Sequence, residues 1–154
     1  MNNIGYGALG EALAEKYLKK KKYKIIAKNC KFAGSELDIV AIFPKNAQKS
    51  EIKQKFKNGE IKTKSAYEYL IKTLEDILVF VEVKYSNTRI FGEPMERVDT
   101  FKQHQIIKAA EGFIHKNQIS MPCRFDVISI VGDEITHIEN AFSMWWHIMN
   151  GVSL

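Results

Sequence analysis

The segment Ile77–Tyr85, with the sequence ILVFVEVKY, is the stretch that decides the fold. Its apolar residues in succession predict a buried β-strand, but Glu82 and Lys84 interrupt the run with Val83 between them. Side chains two residues apart on a strand share a face, so both charges are expected on one side of a sheet. Burying an unpaired carboxylate or ammonium group is costly, so this pair needs a compensating partner or a function.

Length and composition favour one packed domain. The 154 residues are 45% hydrophobic, which is enough for a single core, and we predict one domain over 1–154 with an insertion at about 45–75. No apolar run approaches the roughly 20 residues that cross a bilayer, and the first residues lack the order of a secretory signal. We therefore expect a cytoplasmic protein with no membrane partner. Its two cysteines are isolated and are expected to be free thiols.

The net charge of +5 comes almost entirely from lysine and favours a polyanionic partner. Lysine is a point charge suited to phosphate contact, whereas arginine suits base readout, so the composition favours backbone binding with little sequence discrimination. Many lysines crowd residues 16–31, and Lys20 and Lys22 are candidates for nucleic-acid contact. An ordinary solvated surface is the alternative.

Hydrophobic spacing along the chain predicts the order α-β-β-β-α-β-β. Helices are predicted over 4–22 and 97–117, and strands over 23–28, 36–43, 77–85, 125–131 and 134–140. Residues 45–64 are rich in Lys, Asn, Gln and Glu and are expected to form an exposed loop, followed by a short helix in 65–76. The pattern indicates an α/β fold with a mixed central sheet flanked by helices.

The strand at 36–43 also carries a carboxylate, Asp38, inside an apolar run. If this strand and Ile77–Tyr85 are antiparallel neighbours, Asp38 and Glu82 lie side by side with Lys84 one pleat further. A divalent cation such as Mg²⁺ would relieve their repulsion, with the Val83 carbonyl as a further ligand. Lys84 would then stabilise charge on a reacting phosphate. The alternative is an ion pair of Lys84 with Asp38 or Glu82 on an exposed sheet face.

Four strings follow one another along the chain: SELDIVA (35–41), FVEVK (80–84), FGEPMERV (91–98) and RFDVISI (124–130), preceded by GEALAEKYL (10–18). In order and register they resemble the YraN-type bacterial family, within the restriction-endonuclease-like PD-(D/E)xK superfamily. The resemblance implies a restriction-endonuclease-like core similar to that of archaeal Holliday junction resolvases. It also implies Mg²⁺ or Mn²⁺ as cofactor.

The resemblance assigns roles to individual residues. It implies Asp38 and Glu82 as metal ligands, Lys84 as the catalytic lysine and Glu11 as an acid from the first helix. On a helical wheel Glu11 lies just outside the apolar face, where an ordinary exposed glutamate is the alternative.

Two departures from the family pattern stand beside the strand motifs. Ser35 stands where the family usually has glycine, and Ser86 where it usually has arginine, a role that Arg89 could take over. Lys102 is a further candidate for phosphate contact, with a solvated position as the alternative. Arg124 and Asp126 could form a supporting ion pair or touch substrate.

These observations predict a metal-dependent endonuclease acting on DNA rather than RNA, with branched or damaged DNA favoured over a specific sequence. A second hypothesis is a nucleic-acid-binding accessory protein that keeps the fold and cleaves weakly or not at all. A third is a structural partner protein whose acidic pair only satisfies lysines. The apolar tail from residue 141 could pack on the core or form a homodimer contact.

Overall fold

The computed structural model describes residues 3–86 and 98–144. In this part of the chain four helices and five strands follow the order α-β-β-α-α-β-α-β-β: α1 Asn3–Lys20, β1 Lys24–Phe32, β2 Ser35–Phe43, α2 Lys45–Lys57, α3 Lys64–Lys72, β3 Ile77–Ser86, α4 Thr100–Lys116, β4 Cys123–Val131 and β5 Glu134–Phe142. None of the described helices is long and apolar enough to cross a membrane.

The strands form one sheet in chain order, β1-β2-β3-β4-β5. Neighbours are antiparallel except β3 and β4, which are parallel and have α4 between them in the chain. This mixed α/β sheet flanked by helices confirms the predicted fold class, with two more helices between β2 and β3 than the predicted order contains.

A hydrophobic layer covers each face of the sheet. On one face α4 packs its buried residues against the sheet, with Phe80 stacked on Phe125 and Phe125 on Phe142. On the other face α1 contributes Ala14 and Leu18 to a second cluster with the opposite side chains of β2, β3 and β4. Burial on both faces explains the continuous apolar run of β3.

The prediction of a loop over 45–64 is wrong, because α2 occupies most of that segment. Its less exposed side chains are Ala47 and three that recur every fourth residue, Gln48, Ile52 and Phe56, which share one face of the helix. Phe56 stacks on Tyr67 of α3 with ring centroids 4.6 Å apart, which joins α2 and α3 into a helical hairpin. The short helix predicted after this segment is confirmed as α3.

Strand β1 is longer than the predicted 23–28. It continues through Asn29 to Phe32, and the turn to β2 contains only Ala33 and Gly34. Asn29 has a left-handed backbone, with φ of 50°. The prediction of a turn over residues 29–35 is therefore wrong for most of that segment, because an edge strand exposes one side to water and accepts polar residues such as Asn29 and Lys31.

Candidate functional site

The candidate site lies where β2 and β3 separate. The two strands pair from Phe43↔Ile77 to Ile39↔Val81, and the next two positions in this register are Asp38 and Glu82. Before that point β2 pairs only with β1, whereas β3 continues along β4 as far as Ser86. The acidic side chains therefore stand at a fork in the sheet, beside a gap rather than within a closed ladder.

Asp38 is held by the backbone of β3. Its Oδ2 accepts a hydrogen bond from the Val83 N–H at 2.8 Å. Burial and, after it, the charge of the neighbouring Glu82 raise the pKa of Asp38, which is about 7 in the folded protein. The Val83 N–H and Lys102 act in the opposite direction, while Glu11 adds a smaller upward effect. Near neutral pH this carboxyl therefore exists partly as the acid.

Glu82 is the buried acid of the site, with only 4% of its side chain exposed. Its Oε1 lies 2.9 Å from the Lys84 Nζ and 3.5 Å from the Lys102 Nζ. Lys84 and Lys102 are 28% and 32% exposed, so both ammonium groups also reach water. The ion pair between Glu82 and Lys84 that was the alternative to a metal site is present, but Glu82 is buried rather than on an exposed face, and Lys102 and Asp38 lie beside it.

The start of α4 places Lys102 over Glu82. Asp99 caps the helix, because its Oδ1 accepts a hydrogen bond from the Lys102 N–H at 2.8 Å. This cap fixes Lys102 in the first helical turn, where a positive charge opposes the helix dipole and is compensated by Glu82. Lys102 is therefore partly solvated and also in contact with Glu82, and its contact with phosphate stays a prediction.

Glu11 of α1 lies near the site and shares the side-chain amide of Asn29 with a second carboxylate, Glu36. Its Oε2 accepts a hydrogen bond from the Asn29 side-chain amide at 2.8 Å, and the same amide lies 3.2 Å from Glu36 Oε1. The charge of Glu11 also raises the pKa of Asp38, so these two carboxylates interact electrostatically. Asn29 was missed by sequence reasoning, although asparagine is among the non-glycine residues that most often adopt a left-handed backbone.

The remaining predicted contacts stand apart from this group or outside the described residues. Lys20 ends α1 and Lys22 lies in the turn that follows, and both are exposed. Arg89 and most of the string FGEPMERV lie outside the described residues, as does the tail from residue 145. The role of the Val83 carbonyl as a metal ligand stays a prediction.

Arg124 and Asp126 form the supporting ion pair that was one of the two alternatives. The Arg124 Nε and Nη2 donate to the two carboxylate oxygens of Asp126 at 2.8 and 2.9 Å. His137 Nε2 lies 2.8 Å from Asp126 Oδ2, and the backbone N–H of Asn140 donates to Asp126 Oδ1 at 3.0 Å. Asp126 is fully buried and has these partners, so its role is to join β4 and β5. Sequence reasoning assigned His137 no role and missed this contact.

The donor atoms of the site suit a hard cation. Asp38 and Glu82 offer carboxylate oxygens, and burial together with the Glu82 charge raises the pKa of Asp38, an effect that a divalent cation beside the two carboxylates would oppose. Within 3–86 and 98–144, no group of three or more His, Cys, Asp and Glu side chains could hold a metal ion. Asp38 and Glu82 would leave the other coordination positions of such a cation to water and substrate phosphate, which is a usual Mg²⁺ arrangement.

Comparison with known proteins identifies the family. The chain matches the Uncharacterised protein family UPF0102 over residues 10–130. The chain belongs to this family. A UPF0102 protein of Geobacter metallireducens is 34% identical over 149 residues, which cover 94% of this chain and 97% of the relative. A UPF0102 protein of Clostridioides difficile is 34% identical over 145 residues, which cover 92% of this chain and 100% of the relative.

Membership in UPF0102 confirms the YraN-type family that the four strings indicated. The matched span contains Asp38, Glu82, Lys84 and Lys102 and also encloses the helical hairpin. The family description names no reaction, so the chemistry rests on the geometry of the site.

Proposed function

We propose that this protein is a divalent-metal-dependent nuclease that hydrolyses phosphodiester bonds in DNA, with branched or damaged DNA favoured over a specific sequence. The observation that carries this proposal is the position of Asp38 and the buried Glu82 one step beyond the last pair of β2 and β3, where Lys84 and Lys102 contact Glu82. A sheet that needed only stability would gain more from apolar residues at these positions.

Asp38 and Glu82, with the Val83 carbonyl, would hold Mg²⁺ or Mn²⁺. When bound, such an ion polarises a phosphate and lowers the pKa of a coordinated water. The Val83 N–H fixes the Asp38 carboxylate by its 2.8 Å hydrogen bond, so the carboxylate is oriented before any ligand arrives. This preorganisation reduces the cost of ordering the site during binding.

The two lysines supply positive charge for the reacting phosphate. The ammonium groups of Lys84 and Lys102 already lie 2.9 and 3.5 Å from one carboxylate oxygen, and their partial exposure lets either turn toward a phosphate oxygen. In the transition state, negative charge grows on the phosphate oxygens, and a nearby ammonium group stabilises it. Glu82 holds both lysines close to the position where that charge develops.

Cleavage of labelled branched and linear DNA in Mg²⁺ and in Mn²⁺ tests the proposal. Asp38→Asn and Lys84→Ala are each expected to lower the cleavage rate by about a hundredfold or more, with DNA binding kept within a few-fold. Asp133→Asn and Lys108→Ala change exposed residues and serve as matched controls. Cleavage by Asp38→Asn at the rate of the unmodified protein would refute this assignment of the site.

A catalytically weak DNA-binding protein is a second candidate, and one observation favours it. Glu82 already has two lysine partners, so its buried charge is compensated without a cation. Such a protein would bind DNA with strong salt dependence, with no turnover at any metal concentration. Asp38→Asn and Lys84→Ala would then leave every measured property except stability close to that of the unmodified chain.

A further inference from the structure

The helical hairpin of residues 45–72, formed by α2 and α3, carries an excess of positive charge. It contains eight lysines and three glutamates, an excess of five that equals the net charge of the whole chain. Acidic and basic residues therefore balance in the rest of the protein. The positive character that predicts a polyanionic partner belongs to this hairpin and not to the chain as a whole.

Four of these lysines form a stripe along α2. Lys45, Lys49, Lys53 and Lys57 are four residues apart, so successive positions are about 6 Å apart and the stripe is about 18 Å long. All four are exposed, and none forms an ion pair with a described carboxylate. Like charges at this spacing destabilise a helix, and no glutamate interrupts the stripe. A merely solvated helix face would alternate the signs of its charges.

Several lysines elsewhere in the described chain, unlike those of the stripe, lie beside a carboxylate. Lys19 and Lys28 each lie 2.6 Å from Glu15, and Lys31 lies 3.8 Å from Glu36. The lysine-rich segment at the end of α1 is thus partly neutralised, although Lys20 and Lys22 are exposed. The stripe on α2 offers the longer row of uncompensated positive charge.

The hairpin is fixed at its base. The Gln48 side-chain amide donates to the carbonyl oxygens of Phe43 at 3.0 Å and Glu75 at 2.7 Å, joining the end of β2 to the segment before β3. The Lys45 N–H donates to Asp76 Oδ1 at 2.8 Å across the same junction. Beyond this base, α2 and α3 pack mainly on each other. The lysines are therefore presented on a supported helix.

We propose that the lysine stripe of α2 is a nucleic-acid-binding arm that contacts the phosphate backbone of DNA without reading its sequence. The 6 Å step between lysines is close to twice the 3.4 Å axial rise per nucleotide of one strand, so the stripe spans about five base pairs. The choice of DNA rests on the proposed function. The arm begins at the opposite end of β2 from Asp38, five residues or about 17 Å away along the strand.

The test is a salt titration of binding by the full chain in EDTA, so that cleavage does not interfere. The probe is a labelled duplex of about 25 base pairs, roughly 85 Å long. The variant Lys49→Gln/Lys53→Gln/Lys57→Gln removes three charges and keeps helix propensity, and Lys24→Gln/Lys108→Gln/Lys116→Gln, which changes three exposed lysines outside the hairpin, is the matched control. The slope of log affinity against log salt should fall by about 2–3 for the hairpin variant and by less than about 1 for the control.

At about 0.1 M salt the hairpin variant should also bind at least tenfold more weakly. The variant Lys49→Arg/Lys53→Arg/Lys57→Arg keeps the charge and should keep the slope. The single variant Lys53→Gln, expected to lower the slope by about 1, provides the result if the triple variant fails to fold. An unchanged slope in the hairpin variants, or an equal loss in the control, overturns the proposal.

Two further measurements distinguish this proposal from the proposed nuclease activity and from binding to anionic lipid. Cleavage in Mn²⁺ is measured independently, so a chain that cleaves nothing but loses salt-dependent binding in the hairpin variant supports the arm and rejects the nuclease. A chain that cleaves while its hairpin variant binds like the unmodified protein supports the nuclease and rejects the arm. Loss of binding to anionic lipid vesicles with unchanged DNA binding would also overturn the arm.

Discussion

The site at the sheet fork and the stripe on α2 use lysine in opposite ways. At the fork, Lys84 and Lys102 lie against the buried Glu82 and are less than one-third exposed. On α2, Lys49 and Lys53 are exposed and have no described carboxylate partner. A paired lysine beside a buried acid supports the fold, whereas an unpaired exposed lysine contributes little to folding and is available to a ligand. Removing a lysine is therefore expected to cost more folding stability at the fork than on α2.

The largest expected effect comes from removing both lysines of the fork. Lys84→Met/Lys102→Met leaves Glu82 buried and unpaired beside Asp38, which should destabilise the protein by about 3–5 kcal/mol near pH 8. The matched change Lys49→Met/Lys53→Met on α2 should stay within about 0.5 kcal/mol. Urea unfolding of both double variants measures the difference. Equal losses in the two regions would show that the Glu82 contacts do not stabilise the fold.

A change at Asp38 is expected to have the opposite sign. Its pKa rises from 3.8 to about 7 on folding, so the metal-free protein loses stability as the pH increases through this range. Asp38→Asn removes this cost and still offers an oxygen to the Val83 N–H. Near pH 8 the variant should be more stable than the unmodified protein by as much as about 4 kcal/mol, with no difference near pH 3.

The measurement is denaturant unfolding in EDTA across this pH range, with Asp133→Asn as the exposed control. A stability gain that is the same at both ends of the range would mean that the carboxyl charge is not its cause. With Mg²⁺ or Mn²⁺ added, the unmodified protein should recover stability near pH 8 and Asp38→Asn should recover less. Together these results would separate charge repulsion at the fork from packing.

The sequence predicted the charged residues of the site but not the fork, because strand alternation alone places Glu82 and Lys84 on one face. Asp38 followed once antiparallel pairing with the first charged strand was assumed, and the register bears this out. The approach of Lys102 to Glu82 was not predictable, since it depends on how α4 packs across the sheet. Asn29 was missed for a related reason: asparagine is typical of a left-handed backbone, but its contact with Glu11 depends on how α1 packs beside β1.

The hairpin shows where composition misleads. Residues 45–64 contain few apolar side chains, and such a composition usually indicates a loop. A helix that packs on a single neighbour needs only one narrow apolar stripe, and Ile52 with Phe56 supplies it against Tyr67. Spacing was therefore the informative signal here, and the abundance of lysine concealed it.

The smallest of the three expected effects concerns the base of the hairpin. Gln48→Ala removes the two hydrogen bonds to the Phe43 and Glu75 carbonyls at a position where alanine favours the helix slightly more. We expect a loss of about 1–2 kcal/mol in unfolding free energy and faster hydrogen exchange in α2 and α3, with β3 amides less affected. The matched change Gln54→Ala removes one exposed bond to Asn58 and should cost less than about 0.5 kcal/mol. Equal exchange in the two variants would mean that the Phe56–Tyr67 stack alone orders the hairpin, and the lysine stripe would then need no fixed base.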